Sequence, residues 1–280
     1  MKLSLRLCLL LYCIALPLLA PSPASAQFSK LNDLSAEFGK KLKGEKPQMV
    51  AVADFTTPDG SPSSQGDYFA WYVTTALSFH VKKLPVADHA AFKAALGKHN
   101  LTPRDLVSPE GLKQLGSQVQ VDIIITGSIE VTSRNYTIHV AARRTKDASQ
   151  LVEKTIQMQR TEFTDSLSEP FPPIVDYPVL KSVTPSGTLD QSHMPKCLYC
   201  PSPTYDDHAR SEKRQGTATF EVLISATGEP VKIRPIKMIG YGLDEQAFYA
   251  IKTWHFRPAS KPDGTPVAVI VPIEVTFRLY

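Results

Sequence analysis

Two cysteines separated by two residues, Cys197 and Cys200, form the sharpest chemical constellation in this 280-residue chain. Thiols so close allow three chemistries. They can close a local disulfide, which an oxidising, exported compartment favours. They can act as a catalytic thiol pair, but such pairs sit at a helix N-terminus that lowers the thiol pKa, and Pro201 and Pro203 oppose a helix starting there. With His193 and His208 they can ligate a tetrahedral metal ion. The intervals of three, two and seven residues match no common finger spacing, thiolates survive poorly in an oxidising compartment, and solvated loop histidines are the plainer reading. No metal or other cofactor is therefore expected, and His193, Cys197, Cys200 and His208 stand as the alternative ligand set.

The remaining candidates are isolated. Asp54 closes a short apolar run and can be a ligand, although an acid at a strand end more often caps a loop or helix. His80 lies on the apolar face of a helical pattern and reads as a core or boundary histidine. Ser128 lacks the Gly-x-Ser-x-Gly elbow of a nucleophile, and Gly127 beside it reads as a close backbone approach or a bulge. Arg143, Arg144 and Lys146 read as a solvated strand end. Neither a Gly-rich phosphate loop nor a His-Glu-x-x-His zinc motif is present. No catalytic set emerges, so the expectation is a non-enzyme, with a thiol-disulfide oxidoreductase using Cys197 and Cys200 as the alternative.

The elements that must position these residues fall into two groups. Met49 to Phe55 reads as a strand, Thr56 to Gly66 as a loop, and Phe69, Tyr72, Val73, Ala76, Leu77 and His80 repeat at helical spacing. A short helix is expected around Leu31 to Phe38, a strand at 82–86, a helix after Asp88, and another from Ser108 and Pro109 to near Leu115. Strands follow at Val121 to Val131, Tyr136 to Val140 and Leu151 to Gln159. This order argues a mixed α/β domain over residues 27–163. Eight prolines between Pro170 and Pro203 then mark a semi-rigid linker, 164–203, that carries the cysteine pair.

From Gly216 onward the pattern is strand, strand, helix, strand. Phe220, Val222 and Ile224 alternate with polar residues, and Val231 and Ile233 return after a turn. Leu243, Ala247, Ala250, Ile251 and Trp254 then switch to helical spacing, with Asp244 and Glu245 in the first turn, where the helix dipole favours acids. Val267, Val269, Val271, Ile273, Val275 and Phe277 alternate almost to the chain end as one strand with an apolar face. The fold class is α+β: an N-terminal mixed α/β domain and a small C-terminal β-β-α-β domain at 204–280.

Composition excludes some partners and places. Apolar residues make up 42% and charged ones 21%, ordinary for a globular protein. With Lys2 and Arg6 set aside as part of a leader, 29 basic residues face 27 acidic ones, and no nucleic-acid footprint is visible. Lys2, Arg6, the apolar run Leu7 to Ala20 and the small residues Ala24 to Ala26 read as a secretory signal peptide, 1–26, cut after Ala26. The run is interrupted by Pro17 and is shorter than the roughly twenty residues of a membrane span. An uncleaved inner-membrane anchor is the alternative.

The C-terminal pattern resembles a known family. Tyr205, Ala209, Arg210 and Gly216, then Gly242, Leu243, Asp244 and Ala247, then Trp254, Phe256, Arg257, Pro258 and Ala259, and finally Val275 to Leu279, are similar to the C-terminal domain of the TonB energy-transducer family over 201–280. That resemblance implies a periplasmic binding domain. Its partner would be an envelope protein, a short segment of an outer-membrane transporter, paired by its backbone along the strand carrying Val267, Val269, Val271, Ile273, Val275 and Phe277. Pro272 interrupts the donors of that strand and argues for an edge or a bulge. The same free edge allows a homodimer. Residues 46–160 resemble the curli-secretion lipoprotein, flagellar outer-membrane and TolB N-terminal group of envelope domains. The combined expectation is an exported envelope-binding protein, with a membrane-anchored energy transducer as the alternative.

Overall fold

A computed structural model describes residues 23–168 and 193–279. The expected leader lies almost wholly outside these residues, as do Pro170 to Pro185 of the expected linker. The first described helix, α1 (Pro23–Gly44), runs across the expected cleavage point and is longer than the helix anticipated at 31–38. Phe28, Leu31, Leu34, Phe38 and Leu42 all lie buried on one stripe, so the apolar face extends a turn beyond the anticipated segment at either end.

β1 (Val50–Val52) is buried on both faces. Val50 and Val52 enter one core, with α1 and α2 (Ser64–His80), while Ala51 and Ala53 enter a second, with Phe92 of α3 (His89–Lys98) and Leu112 of α4 (Pro109–Gln114). Small residues on one side and branched ones on the other let helices pack on both faces of a short parallel pair. β1 pairs in parallel with β2 (Ile123–Val131), and β3 (Asn135–Arg144) and β4 (Gln150–Gln159) extend the sheet as an antiparallel meander. Ser63 caps α2 by accepting from the Gly66 N–H at 2.8 Å. Ser108 caps α4 in the same way, as its position before Pro109 predicts. Gly127 is a close approach: a Cβ there would lie 2.7 Å from the Phe55 ring.

The strand expected at 82–86 is reduced to a bridge between Val86 and Val50. The Val50 N–H donates to Pro85 O and the Ala87 N–H to Val50 O, both at 2.8 Å. Pro85 has no N–H and Lys83 has a φ of 70°, so extended pairing cannot propagate backward.

The C-terminal unit is built on a three-stranded antiparallel sheet in the order β11-β6-β7, where β6 is Gly216–Ile224, β7 is Pro230–Lys237 and β11 is Val269–Phe277. Before it come α5 (Glu162–Ser166), β5 (Lys196–Tyr199) and α6 (Asp207–Ser211). Leu243, Ala247 and Ile251 of α7 (Leu243–Lys252) pack on the face of the sheet that carries Ala218, Phe220 and Val222. The anticipated single strand from Val267 is broken at Ala268. Val267 belongs to β10 (Pro266–Val267), paired with β9 (Ala259–Ser260) in a small hairpin, while Val269 begins β11.

The two units share one apolar core. Phe163 of α5 meets Tyr68 of α2 at 5.5 Å and Phe248 of α7 at 5.6 Å, and Phe28 of α1 stacks on Tyr72 at 5.2 Å. Tyr241, just before α7, inserts against Tyr72, Phe79 and His80 of α2. An ion pair between Lys252 and Glu162 closes the rim of the same seam.

Candidate functional site: the edge of the closing strand

β11 is an outer strand. All nine of its residues pair with β6, from Val269 opposite Ile224 to Phe277 opposite Gly216, with no shift of register. Among the described residues, no strand or bridge pairs with its other side. Pro272 sits within this ladder opposite Glu221 without a bulge, and it divides the free edge because it has no N–H to give.

The side chains expected to line the site do not face a partner. Val269, Val271, Val275 and Phe277 are buried and Ile273 is half-buried, all toward the α7 side of the sheet; Val267 is half-buried in the β9–β10 hairpin. What the edge offers is main chain, anchored by that buried row. The opposite face of its lower half shows Pro272, Glu274 and Thr276, all exposed. At the end of the strand, Ser202, Pro203, Tyr205, Thr276, Phe277 and Arg278 line a cleft of about 440 Å³. Tyr205 stands edge-on to Phe277 at 5.5 Å, under the Arg210 guanidinium at 5.1 Å, so an aromatic wall continues from the edge into the cleft.

Cys197 and Cys200 form a disulfide. It joins Cys197 in β5 to Cys200 just after it; β5 pairs with β8 (His255–Arg257), and the next residue is fastened by the Trp254 indole N–H donating to Pro201 O at 3.0 Å. Both sulfurs are committed, so the alternative zinc set of His193, Cys197, Cys200 and His208 is not available in this form. His208 instead packs against Tyr241 at 5.7 Å between ring centres. Replacing both cysteines by serine is expected to remove a four-residue loop constraint of about 1–2 kcal/mol and lower the Tm by a few degrees. The same variant should leave turnover of a model disulfide at the blank rate of the parent, which an insulin-reduction assay would read.

Tertiary packing sets the surroundings of several acids and of His80. Asp244, fully buried, accepts from the Ile239 and Gly240 N–H groups at 2.8 Å each, fixing the turn that presents Tyr241. Burial pushes its carboxyl up to about 6 against the pull of those two donors. Glu245 is also fully buried, and neither of its carboxylate oxygens has a hydrogen-bond partner among the described residues. Burial pushes it up to about 7. Among the described residues, Asp54 pairs with His89 and Lys93, in place of the cap expected of an acid at a strand end. His80 is half-buried, as its helical position suggests, with its ring 3.4 Å from the Tyr241 hydroxyl.

Comparison with curated proteins finds no match. Among solved structures, the LpoB C-terminal domain from Salmonella enterica aligns with a TM-score of 0.34 and 12% identity, covering 49% of this chain and 98% of that one. Lipoprotein GNA1162 from Neisseria meningitidis aligns with a TM-score of 0.34 and 12% identity over 41% and 85%. The TonB C-terminal domain of Pseudomonas aeruginosa aligns with a TM-score of 0.28 and 21% identity over 33% and 93%. Among the described residues no helix is long and apolar enough to cross a membrane. Residues 201–279, the segment that builds the β11 edge and its cleft, match the model of the family described as Gram-negative bacterial TonB protein C-terminal.

Proposed function

We propose that this protein is an exported envelope adaptor whose C-terminal unit takes up an extended peptide along β11, the peptide being a segment of an outer-membrane transporter. The observation that carries this reading is the unpaired outer edge of β11 within the segment that matches the TonB C-terminal family. Adding a strand there gives main-chain hydrogen bonds worth about 1 kcal/mol each, net, and leaves specificity to side chains reaching the cleft beside Tyr205 and Phe277. Because Pro272 divides the edge, the docked stretch is expected to register on Ile273 to Phe277. Residues 1–26 act as a cleaved signal peptide on this reading, and 27–163 form a folded base for the binding unit. The competing reading, an inner-membrane-anchored transducer, keeps residue 1, which N-terminal sequencing of the exported protein decides.

A photo-crosslinking side chain placed at Glu274, exposed on β11, is expected to capture an outer-membrane transporter in intact cells. The same group at Thr155, exposed on the outer strand β4, is the control. Equal capture from both positions, or none from Glu274, counts against strand-edge docking. Capture of a second copy of this chain from Glu274 would assign the edge to a homodimer instead.

A further inference from the structure

β1 lies between two parallel neighbours, β2 on one side and the bridge at Val86 on the other. The chain leaves β1 for α2, which packs on one face of the sheet through Phe69, Val73 and Leu77. It leaves the 85–87 stretch for α3, which packs on the opposite face through Phe92. Connections that diverge to opposite faces open a crevice beyond the carboxyl ends of the two strands, the place where open α/β sheets bind their ligands. Four side chains converge on that crevice here. Asp54 follows β1, Asp67 lies in the first turn of α2, and His89 and Lys93 lie on the first two turns of α3.

Their geometry is close. His89 Nε2 lies 2.9 Å from Asp54 Oδ1 and 3.2 Å from Asp67 Oδ1, while Lys93 Nζ lies 2.9 Å from Asp54 Oδ2 and 2.7 Å from Asp67 Oδ1. The imidazole is only 6% exposed, so a nearly buried nitrogen donor backs two carboxylates that reach solvent. Among the described residues, Asp54, Asp67 and His89 are the one group of His, Cys, Asp or Glu whose three donor atoms all fall within 4.8 Å of one another.

We propose that this crevice is a divalent-metal site of zinc type, with His89 Nε2 and one oxygen each of Asp54 and Asp67 as ligands, and with the Lys93 ammonium as the cation that holds the place when the ion is absent. A tetrahedral zinc with ligands at about 2.0–2.2 Å sets neighbouring donors about 3.3 Å apart; the two His89–carboxylate separations need shifts of only a few tenths of an ångström, and the Asp54 and Asp67 oxygens lie within 4.8 Å of each other. An imidazole nitrogen with only three protein donors suits zinc better than calcium or magnesium, which take oxygen ligands in larger number or keep most of their water. On binding, the ion replaces the His89 Nε2 proton and the Lys93 ammonium between the carboxylates. Lys93 is 42% exposed and can turn outward into water. The site then balances two carboxylates against one divalent cation.

A permanent salt-bridge cluster and a metal site with a built-in competitor respond oppositely when Lys93 is removed. Untagged, metal-stripped full-length protein is titrated with zinc chloride by calorimetry, and its Tm is recorded with and without the ion. The expected result is one equivalent bound, binding weakened roughly tenfold or more by His89→Gln, and binding tightened by Lys93→Met. Should His89→Gln fail to fold, Asp67→Asn, at a half-exposed helix position, takes its place with the same expected loss. Absence of zinc binding by the parent overturns the proposal, including the case in which only Lys93→Met binds, because Lys93 would then be the permanent occupant. Zinc binding left unchanged by His89→Gln or by Asp67→Asn overturns it as well, since the ion would be held elsewhere.

Discussion

Replacing Glu245 by Gln is expected to stabilise the folded protein at pH 8 by about 2–3 kcal/mol and to do little at pH 4. Glu245 sits at the third position of α7, wholly buried, with no hydrogen-bond partner for either carboxylate oxygen among the described residues. The Thr161 hydroxyl, which accepts from the Thr164 N–H across the cap of α5, tempers the burial. Asp206 adds a second negative group, and Tyr68 of α2 faces the site with a buried hydroxyl that also lacks a partner among the described residues. The carboxyl therefore titrates at about 7 in the fold against 4.5 in the unfolded chain. Between those values the folded state holds the proton and the unfolded state does not, so stability falls as pH rises from 4.5 to about 7 and is level above. The neutral amide removes that loss. Asp244 is raised in the same direction, to about 6, but its two oxygens satisfy two backbone donors, and Asn has one oxygen to offer. Asp244→Asn is accordingly expected to destabilise at both pH values. Urea unfolding of parent and variants at pH 4 and pH 8 measures both effects, and a Glu245→Gln gain that is equal at the two pH values would remove ionisation as its cause.

The contrast between these two acids shows what was legible in sequence. Both stand in the first turn of a well-marked helix, where the macrodipole accounts for acids and says nothing of their burial. The C-terminal pattern itself was readable because each signal is local: alternation in β6 and β11, helical spacing in α7, glycines at the turns. What local pattern cannot carry is the second layer of packing. α7 buries its outer edge as well, against α5 and α2, and so its first-turn acids are enclosed by residues some eighty to one hundred and eighty positions away in the chain, Thr161 and Tyr68 among them. The crevice beside β1 was hidden for the same reason. Asp54 was visible as an acid at a strand end, but His89 and Lys93 become its partners only because the sheet carries helices on both faces. Residues 82–86 form a bridge and not a strand because a short apolar run says nothing of whether its donors survive, and Pro85 removes one.

The shared core also bears on how the binding edge is presented, and Tyr241→Ala tests that link. Tyr241 is 1% exposed and its ring lies among Phe79 at 5.4 Å, His80 at 5.8 Å, Tyr72 at 6.3 Å and His208 at 5.7 Å, with the Arg214 guanidinium 4.7 Å over its face. Truncating so enclosed an aromatic ring is expected to cost about 3–5 kcal/mol. Its backbone argues in the other direction. Gly240, Tyr241 and Gly242 have φ values of 86°, 60° and 78°, and a bulky residue in the left-handed region carries a strain of about 1–2 kcal/mol. The side chain is kept there by what it packs against in the N-terminal unit. Tyr241→Gly, which loses the same ring but relieves the backbone, is therefore expected to be more stable than Tyr241→Ala by about 1 kcal/mol, the reverse of the order at a position with negative φ. Thermal unfolding of both variants reads the difference, and an alanine variant as stable as the glycine one would show that the turn stores no strain. If Tyr241 is the wedge that seats the two units together, hydrogen exchange in Tyr241→Ala should quicken in α2 and at residues 239–243, while β6 and β11, whose nine-residue pairing does not involve Tyr241, keep their protection. The edge of β11 would then survive on an undocked unit, and capture of a partner from Glu274 would report whether docking on the N-terminal unit presents that edge or merely carries it.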